Sequence, residues 1–221
     1  MKLFLDTAKF SEIQEINSWG VLDGVTTNPT LLAKEADGSR DWKQMLKEIC
    51  AEVPGSVSAE VVSTDTEGML REARERAEIA ENIYVKFPCT PDGLAACKRA
   101  RAEGMRVNMT LVFSPAQTLL AAKAGANLIS PFIGRIDDTA SGGMEILAQC
   151  IEVVSNYDYE AEILAASLRH PMHVVEAARL GSHIATMPYE VFRKLVQHPM
   201  TDIGLKRFTD DWEQAREALG A

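Results

Sequence analysis

The chain has no apolar run approaching the roughly 18–20 residues of a membrane-spanning helix. Its N-terminus reaches the charged Asp6 too early for a secretory leader, so none is expected. Cysteine is scarce: Cys50, Cys89, Cys97 and Cys150 are the only four, and none forms a CxxC pair. A disulfide framework and a zinc site are therefore not expected, and reduced thiols suit a cytoplasmic location. Positive charge is the minority, with 23 Lys and Arg against 32 Asp and Glu and a formal net charge of −9. That balance argues against non-specific binding to nucleic acid or an anionic membrane. It leaves room for an anionic small molecule, which needs only a local cluster of cations and amides. No GxGxxG or GxxxxGK[ST] fingerprint is present, which removes the usual signal of a nucleotide-binding open sheet. His170 and His173 form HxxH, with His183 further on, but no carboxylate or cysteine recurs at ligand spacing. These histidines read as structural or surface residues, and no metal is expected. No low-complexity linker divides the 221 residues, so a single domain over 1–221 is expected, with a helical extension from about 188.

What is present is alternation. Short β-rich runs lie at Leu3–Asp6, Gly24–Thr27, Ser58–Val62, Ile83–Phe87, Arg106–Leu111, Leu128–Phe132, Ala161–Ala166 and Ile184–Met187. Amphipathic stretches separate them, most clearly Glu67–Ala80, Leu94–Ala102, Pro115–Ala124 and Met144–Ser155. Thr90-Pro91-Asp92 and Ser114-Pro115 mark helix starts, and Gly104 and Gly125 mark helix ends. Strand and helix in regular turn predict parallel βα units, and eight units at this length predict a closed α/β (β/α)₈ TIM barrel. The polar segment Glu35–Trp42 reads as a loop, and Asp137–Gly143 as a second, mobile one. Beyond the eighth strand, Pro199 interrupts a helical pattern, and Phe208 and Trp212 form one apolar stripe four residues apart. That stripe must pack on the barrel exterior or on a neighbouring subunit.

Barrel chemistry sits at the C-terminal ends of the strands. Those ends carry Asp6, Thr27 and Asn28, Glu60, Lys86, Asn108 and Thr110, Ser130, and Ser167. A ring of polar residues around one mouth is a site hypothesis, although each member has an ordinary alternative. Lys86 lies in Ile83-Tyr84-Val85-Lys86-Phe87-Pro88. Taken alone it reads more readily as a strand-end lysine snorkelling to water. Amid polar partners it reads as a buried amine, whose neutral form attacks carbonyls. Glu60 is either a surface glutamate or a proton carrier for carbinolamine chemistry. Asp6 is either a helix cap with Thr7 or an acceptor of a hydroxyl proton during carbon–carbon cleavage. Asn28-Pro29-Thr30 either binds hydroxyls or is turn and cap chemistry. Asn108 and Thr110, two apart, share one strand face. Arg135, Ser167 and Arg169 follow the sixth and seventh strands, where barrels often bind phosphate, though any single arginine is by default a surface residue.

Several blocks together resemble a known family, the short bacterial and archaeal transaldolases grouped with fructose-6-phosphate aldolase. They are FLDTA at 4–8, DGVTTNPTLL at 23–32, VSAEVV at 57–62, YVKFPCTPDGLAA at 84–96, VNMTLVFSPAQ at 107–117, AGANLISPFIGRIDD at 124–138, ILAASLR at 163–169 and PYEVFRKLVQHPMTDIGLKRFTDDW at 188–212. The resemblance covers essentially the whole chain. It implies that Lys86 forms a Schiff base, that Asp6 is the acid–base group at the cleaved bond, and that Glu60 and Thr110 hold a catalytic water. It further implies that Asn28 and Asn108 bind a dihydroxyacetone unit, with Thr27 and Ser130 among the substrate contacts, and that Arg135, Ser167 and Arg169 bind phosphate. Glu60 and Phe132 match the transaldolase side of the family, whose aldolase side carries Gln and Tyr. Leu168 departs from the more usual Phe and lies between two phosphate-site candidates. The activity implied is transfer of dihydroxyacetone from sedoheptulose 7-phosphate or fructose 6-phosphate to an aldose phosphate, within the pentose phosphate pathway and with no cofactor. Release of free dihydroxyacetone, or a non-catalytic sugar-phosphate-binding barrel, are the alternatives. Pentamers or pairs of pentamers are the implied assembly, with no nucleic acid or membrane partner.

Overall fold

A computed structural model describes residues 1–36, 41–157 and 159–219, with side chains to residue 216. Eight short runs rich in Val, Ile, Leu and Ala form parallel strands: β1 (Lys2–Asp6), β2 (Gly24–Thr26), β3 (Val57–Glu60), β4 (Ile83–Pro88), β5 (Arg106–Val112), β6 (Leu128–Pro131), β7 (Glu162–Ala165) and β8 (Ile184–Met187). They pair in sequence order, and β8 returns to β1 through Lys2↔Ile184 to Leu5↔Met187, closing the barrel. The intervening helices are α1 (Phe10–Ser18), α2 (Pro29–Glu35), α3 (Trp42–Glu52), α4 (Thr66–Ala77), α5 (Pro91–Ala102), α6 (Pro115–Ala124), α7 (Ile133–Asp137), α8 (Gly143–Asn156) and α9 (Pro171–Leu180). After β8 come α10 (Tyr189–Lys194) and α11 (Pro199–Leu219). This is the expected (β/α)₈ barrel with a C-terminal helix.

Period-two alternation divides the core in two. Outward residues such as Leu5, Val25, Ala59, Val85, Phe87, Met109 and Ile163 pack under the helices. Inside the barrel, Phe4, Leu128, Leu164, Ala166 and Ile184 form a separate apolar cluster with Tyr84 and Phe132 against it. Gly24 makes room for it: a Cβ there would lie 2.5 Å from Phe4 Cζ. Four of these strands then change character one step along the same face. Phe4 gives way to Asp6, Tyr84 to Lys86, Leu128 to Ser130 and Ile184 to Thr186. The apolar plug is thus a floor beneath a polar layer that faces the C-terminal mouth.

Local signals fix the helix ends. Asn28, Thr90 and Ser114 accept from the backbone N–H three residues on, each followed by proline in the first turn. Gly104 and Gly125 follow α5 and α6 at φ of 85° and 90°, as their positions predict. The expected loop at 35–42 is shorter. Glu35 closes α2 and Trp42 opens α3, while residues 37–40 lie outside the described residues. The expected loop at 137–143 is also trimmed at both ends by α7 and α8, and Asp137 Oδ1 accepts from Gly143 N at 2.9 Å. The stripe on α11 does not pack on the barrel of its own chain: Phe208 and Trp212 are 71% and 61% exposed. Among the described residues no helix is long and apolar enough to cross a membrane.

Candidate active site

The mouth of the barrel holds a cavity of about 110 Å³ lined by Asp6, Thr26, Asn28, Lys86, Ser130, Phe132, Arg135, Ser167 and Thr186, among others. A second lobe of about 410 Å³ shares Asn28, Lys86, Phe132 and Arg135 and adds Glu60. At its centre is Lys86, carried inward because Val85 and Phe87 claim the outer face. Its Nζ lies 2.9 Å from Glu60 Oε2 and donates to the Thr27 carbonyl at 3.3 Å. Glu60 and Lys86 are register partners on β3 and β4, so the sheet itself sets the pair. The lysine is 5% exposed and stays inside the mouth, so the snorkelling alternative does not describe it.

Asp6 approaches from β1. Burial pushes its carboxyl above the usual range, a larger effect than the opposing pull of the Thr26 hydroxyl and the Lys86 ammonium, and Glu60 adds to the rise. Thr26 donates to Asp6 Oδ1 at 2.7 Å and lies 2.7 Å from the Thr186 hydroxyl. Across the barrel, Asn108 is held on both sides. Its Nδ2 donates to Ser58 Oγ at 3.0 Å, and its Oδ1 accepts from Ser130 Oγ at 2.7 Å. Thr110 is fully buried, and its hydroxyl has no hydrogen-bond partner among the described residues. Immediately after it the β5–β6 register shifts between Met109 and Val112, and Leu111 sits at φ 54° in the left-handed region.

The end of the mouth around Arg135 joins two segments. Arg135, on α7, lies 5.3 Å from the Phe132 ring and lines both lobes. Ser167, at φ 59°, lines the inner one, and its carbonyl accepts from Gly134 N at 3.1 Å. That approach tolerates no side chain on Gly134, where a Cβ would lie 2.2 Å from Ser167 O. Leu168 is fully buried between barrel and helices and anchors this turn. His173 ties the two segments together: its Nδ1 accepts from Arg169 N at 3.3 Å, and its Nε2 is 3.3 Å from Asp137 Oδ2. Burial foremost, then His170, lowers its pKa and favours the neutral ring that can accept. His170 caps α9 by accepting from His173 N.

Most of the residues read from sequence converge on this mouth: Asp6, Asn28, Glu60, Lys86, Ser130, Phe132, Arg135 and Ser167 line it. Asn28 lines the mouth and also caps α2 through Oδ1, so its two readings coexist. Asn108 and Thr110 are fully buried and are not among the lining residues, and two further residues turn elsewhere. Thr27 is not among the lining residues; its hydroxyl donates to the Ser58 carbonyl at 2.7 Å, and the lining residue is Thr26. β2 ends at Thr26, so the inward polar residue at the end of that strand is one residue earlier than the expected Thr27. The Arg169 guanidinium instead donates to Asp138 Oδ2 at 2.7 Å, outside the cavity lining. Sequence reading missed Thr26, Ser58 and Thr186. Strict alternation from Ser58 to Glu60 and from Ile184 to Thr186 is the signal that finds the last two.

A closed parallel barrel whose C-terminal mouth buries a lysine against a carboxylate belongs to the class of barrels equipped to engage a carbonyl. The model of the "Transaldolase/Fructose-6-phosphate aldolase" family matches residues 3–219. A "Probable transaldolase" of Petrotoga mobilis is 53% identical over 219 residues, covering 99% of this chain and 98% of that protein. One of Aquifex aeolicus is 53% identical over 217 residues, covering 98% and 99%. The chain therefore belongs to the transaldolase/fructose-6-phosphate aldolase family and is an enzyme of the transaldolase–aldolase type. A thiamine phosphate pyrophosphorylase from Pyrococcus furiosus superposes with a TM-score of 0.59 at 14% identity, covering 88% of this chain and 93% of that one, which is a likeness of fold alone.

Proposed function

We propose that this chain is a transaldolase that transfers a dihydroxyacetone unit from fructose 6-phosphate or sedoheptulose 7-phosphate to an aldose phosphate through a Schiff base on Lys86. The observation that carries the reading is the buried Lys86–Glu60 pair at 2.9 Å, with Asp6 lining the same mouth. Glu60 takes a proton across that contact, and the freed Lys86 amine attacks C2 of the ketose. The carbinolamine loses water to give an iminium, with Glu60 and a water held by Thr110 moving the protons; the unpartnered Thr110 hydroxyl supports that role. Asp6 takes the C4 hydroxyl proton, the C3–C4 bond breaks, and its electron pair passes into the iminium to form an enamine. The aldose phosphate leaves. The enamine carbon adds to the acceptor aldehyde, Asp6 returns its proton to the new alkoxide, and hydrolysis frees Lys86. The iminium is the electron sink, so the reaction as proposed calls on no cofactor.

Asn108, fixed by Ser58 and Ser130, and Asn28 orient the dihydroxyacetone hydroxyls. Arg135 and Ser167 hold the phosphate. Arg169 joins them once it exchanges Asp138 for the ligand. Remote phosphate binding then positions the reacting carbons. We also propose a cytoplasmic homo-oligomer, a pentamer or pair of pentamers as the family resemblance implies. The exposed apolar residues of α11, Met200, Ile203, Leu205, Phe208 and Trp212, support it.

Incubation with fructose 6-phosphate, borohydride reduction and peptide mass mapping tests the mechanism. A reduced three-carbon adduct on Lys86 is expected, and its loss on adding erythrose 4-phosphate before reduction distinguishes transfer from simple release. Absence of the adduct, where a control aldolase is trapped, would leave a sugar-phosphate-binding barrel as the better description.

A further inference from the structure

We propose that Thr186 is a positioning residue for Asp6, acting through Thr26 as a hydroxyl relay that can reverse its direction. The inference rests on the transaldolase reading above, in which Asp6 gains and returns a proton in each turnover.

Three neighbouring strands bring the relay together. Asp6 and Thr26 are register partners on β1 and β2, while Thr186 on β8 is paired with Phe4 on β1. Thr26 Oγ1 is 2.7 Å from Asp6 Oδ1 and 2.7 Å from Thr186 Oγ1, and either threonine can be the donor in the second contact. Both threonines are 3% exposed. Thr26 is the sole partner of the Thr186 hydroxyl among the described residues, and Thr186 also lines the mouth.

Each hydroxyl carries one proton, and that fixes the order. An ionised Asp6 only accepts, so Thr26 spends its proton on Asp6 and Thr186 must donate to Thr26. Once Asp6 has taken the C4 hydroxyl proton, the chain can turn round: Asp6 donates to Thr26, Thr26 donates to Thr186, and the Thr186 proton is left facing the mouth. No heavy atom has to move. The relay therefore satisfies both protonation states of Asp6, as a group that must take a proton in cleavage and return it in condensation requires.

Removing the Thr186 hydroxyl breaks that symmetry. The ionised state keeps its donor, because Thr26 still faces Asp6. The protonated state loses the acceptor for the Thr26 proton, in a buried place where an unmade hydrogen bond is costly. Asp6 then becomes a weaker base. The charged groups that face Asp6 are Lys86 from β4 and Glu60 from β3, and Arg135 from α7 lines the same cavity. Among the described residues β2 presents Thr26 to the carboxyl, and β8 presents Thr186 to Thr26. α10 packs on β1 from outside, with Glu190, Arg193 and Lys194 exposed to solvent.

The test measures kcat and KM against pH for transfer from fructose 6-phosphate to erythrose 4-phosphate, in full-length wild type, Thr186→Val, Thr186→Ala and Thr186→Ser, with borohydride trapping on each. Valine keeps the shape without the hydroxyl, and the smaller alanine makes the same prediction should valine fail to fold. Both are expected to lower kcat about 5- to 10-fold with KM unchanged, and to move the acid limb of kcat about one pH unit lower. Serine should restore rate and limb together. A Lys86 adduct with kcat and limb unmoved in the valine or alanine variant overturns the relay alone. So does a fall in kcat with the limb in place that serine does not reverse. A wild-type chain that forms no adduct overturns the transaldolase reading, and the role of the relay with it.

Discussion

At the residue scale the site is a compromise between stability and chemistry, and Asp6 shows it. Its carboxyl is raised by burial, so the folded chain holds that proton more tightly than the unfolded chain does. The stability it lends is complete below the ordinary carboxylate value of 3.8 and is lost as pH rises through the folded-state value. Asn at this position has no such loss. Asp6→Asn is therefore expected to melt higher than wild type near pH 7, with the difference shrinking towards zero below pH 3.8, while kcat falls by about 10² to 10⁴. Parallel thermal melts and transfer assays across pH check both halves. Phe132 makes a different point. Its ring lines the mouth, meets Phe113 edge-on at 5.7 Å, and has no proton to give. A tyrosine hydroxyl there could protonate the enamine and free it. Phe132→Tyr should raise release of dihydroxyacetone from fructose 6-phosphate several-fold without an acceptor; an unchanged rate would remove this account of why the enamine persists.

At the scale of elements, the proposed phosphate end depends on a joint. Gly134 N to Ser167 O brings α7 against the β7–α9 turn, and the His173 ring joins the Arg169 backbone to Asp137 at the end of α7. His173→Phe keeps a ring and removes the acceptor for Arg169 N. Losing it costs on the order of 1–2 kcal/mol, so KM for a phosphorylated acceptor should rise about tenfold. KM for unphosphorylated glyceraldehyde should hold, and steady-state kinetics with the two acceptors separates these outcomes. The elements also show what was legible in the sequence. The barrel strands and most helices follow from runs and periods, and Lys86 follows from an amine set among apolar neighbours. α2 was hidden because Asn28-Pro29-Thr30 reads equally as a turn, although Pro29 after a capping Asn28 is a sound helix start. Thr26 was hidden because β2 is only three residues long, too short for alternation to settle which threonine of the pair turns inward. Arg169 lies in a turn, where no period constrains direction, and only the structure shows it committed to Asp138.

At the scale of the molecule, α11 is a 21-residue helix on which Met200, Ile203, Leu205, Phe208 and Trp212 are exposed in one chain. Burying two large aromatic residues at each contact contributes roughly 3–6 kcal/mol. Phe208→Glu with Trp212→Glu is therefore expected to convert an oligomer to smaller species in analytical ultracentrifugation, with the barrel still folded by circular dichroism. A wild-type chain that sediments as a monomer would end the assembly proposal.

The floor of the barrel, where Phe4 fills the space that Gly24 leaves, makes the mouth a dead end. Whatever enters must leave by the same doorway. In the proposed reaction donor and acceptor would therefore take turns: the first aldose vacates before the second arrives, and the covalent tether proposed on Lys86 would keep the three-carbon fragment from leaving with it. The proposed order of events then rests on the packing of one phenylalanine at the opposite end from the mouth.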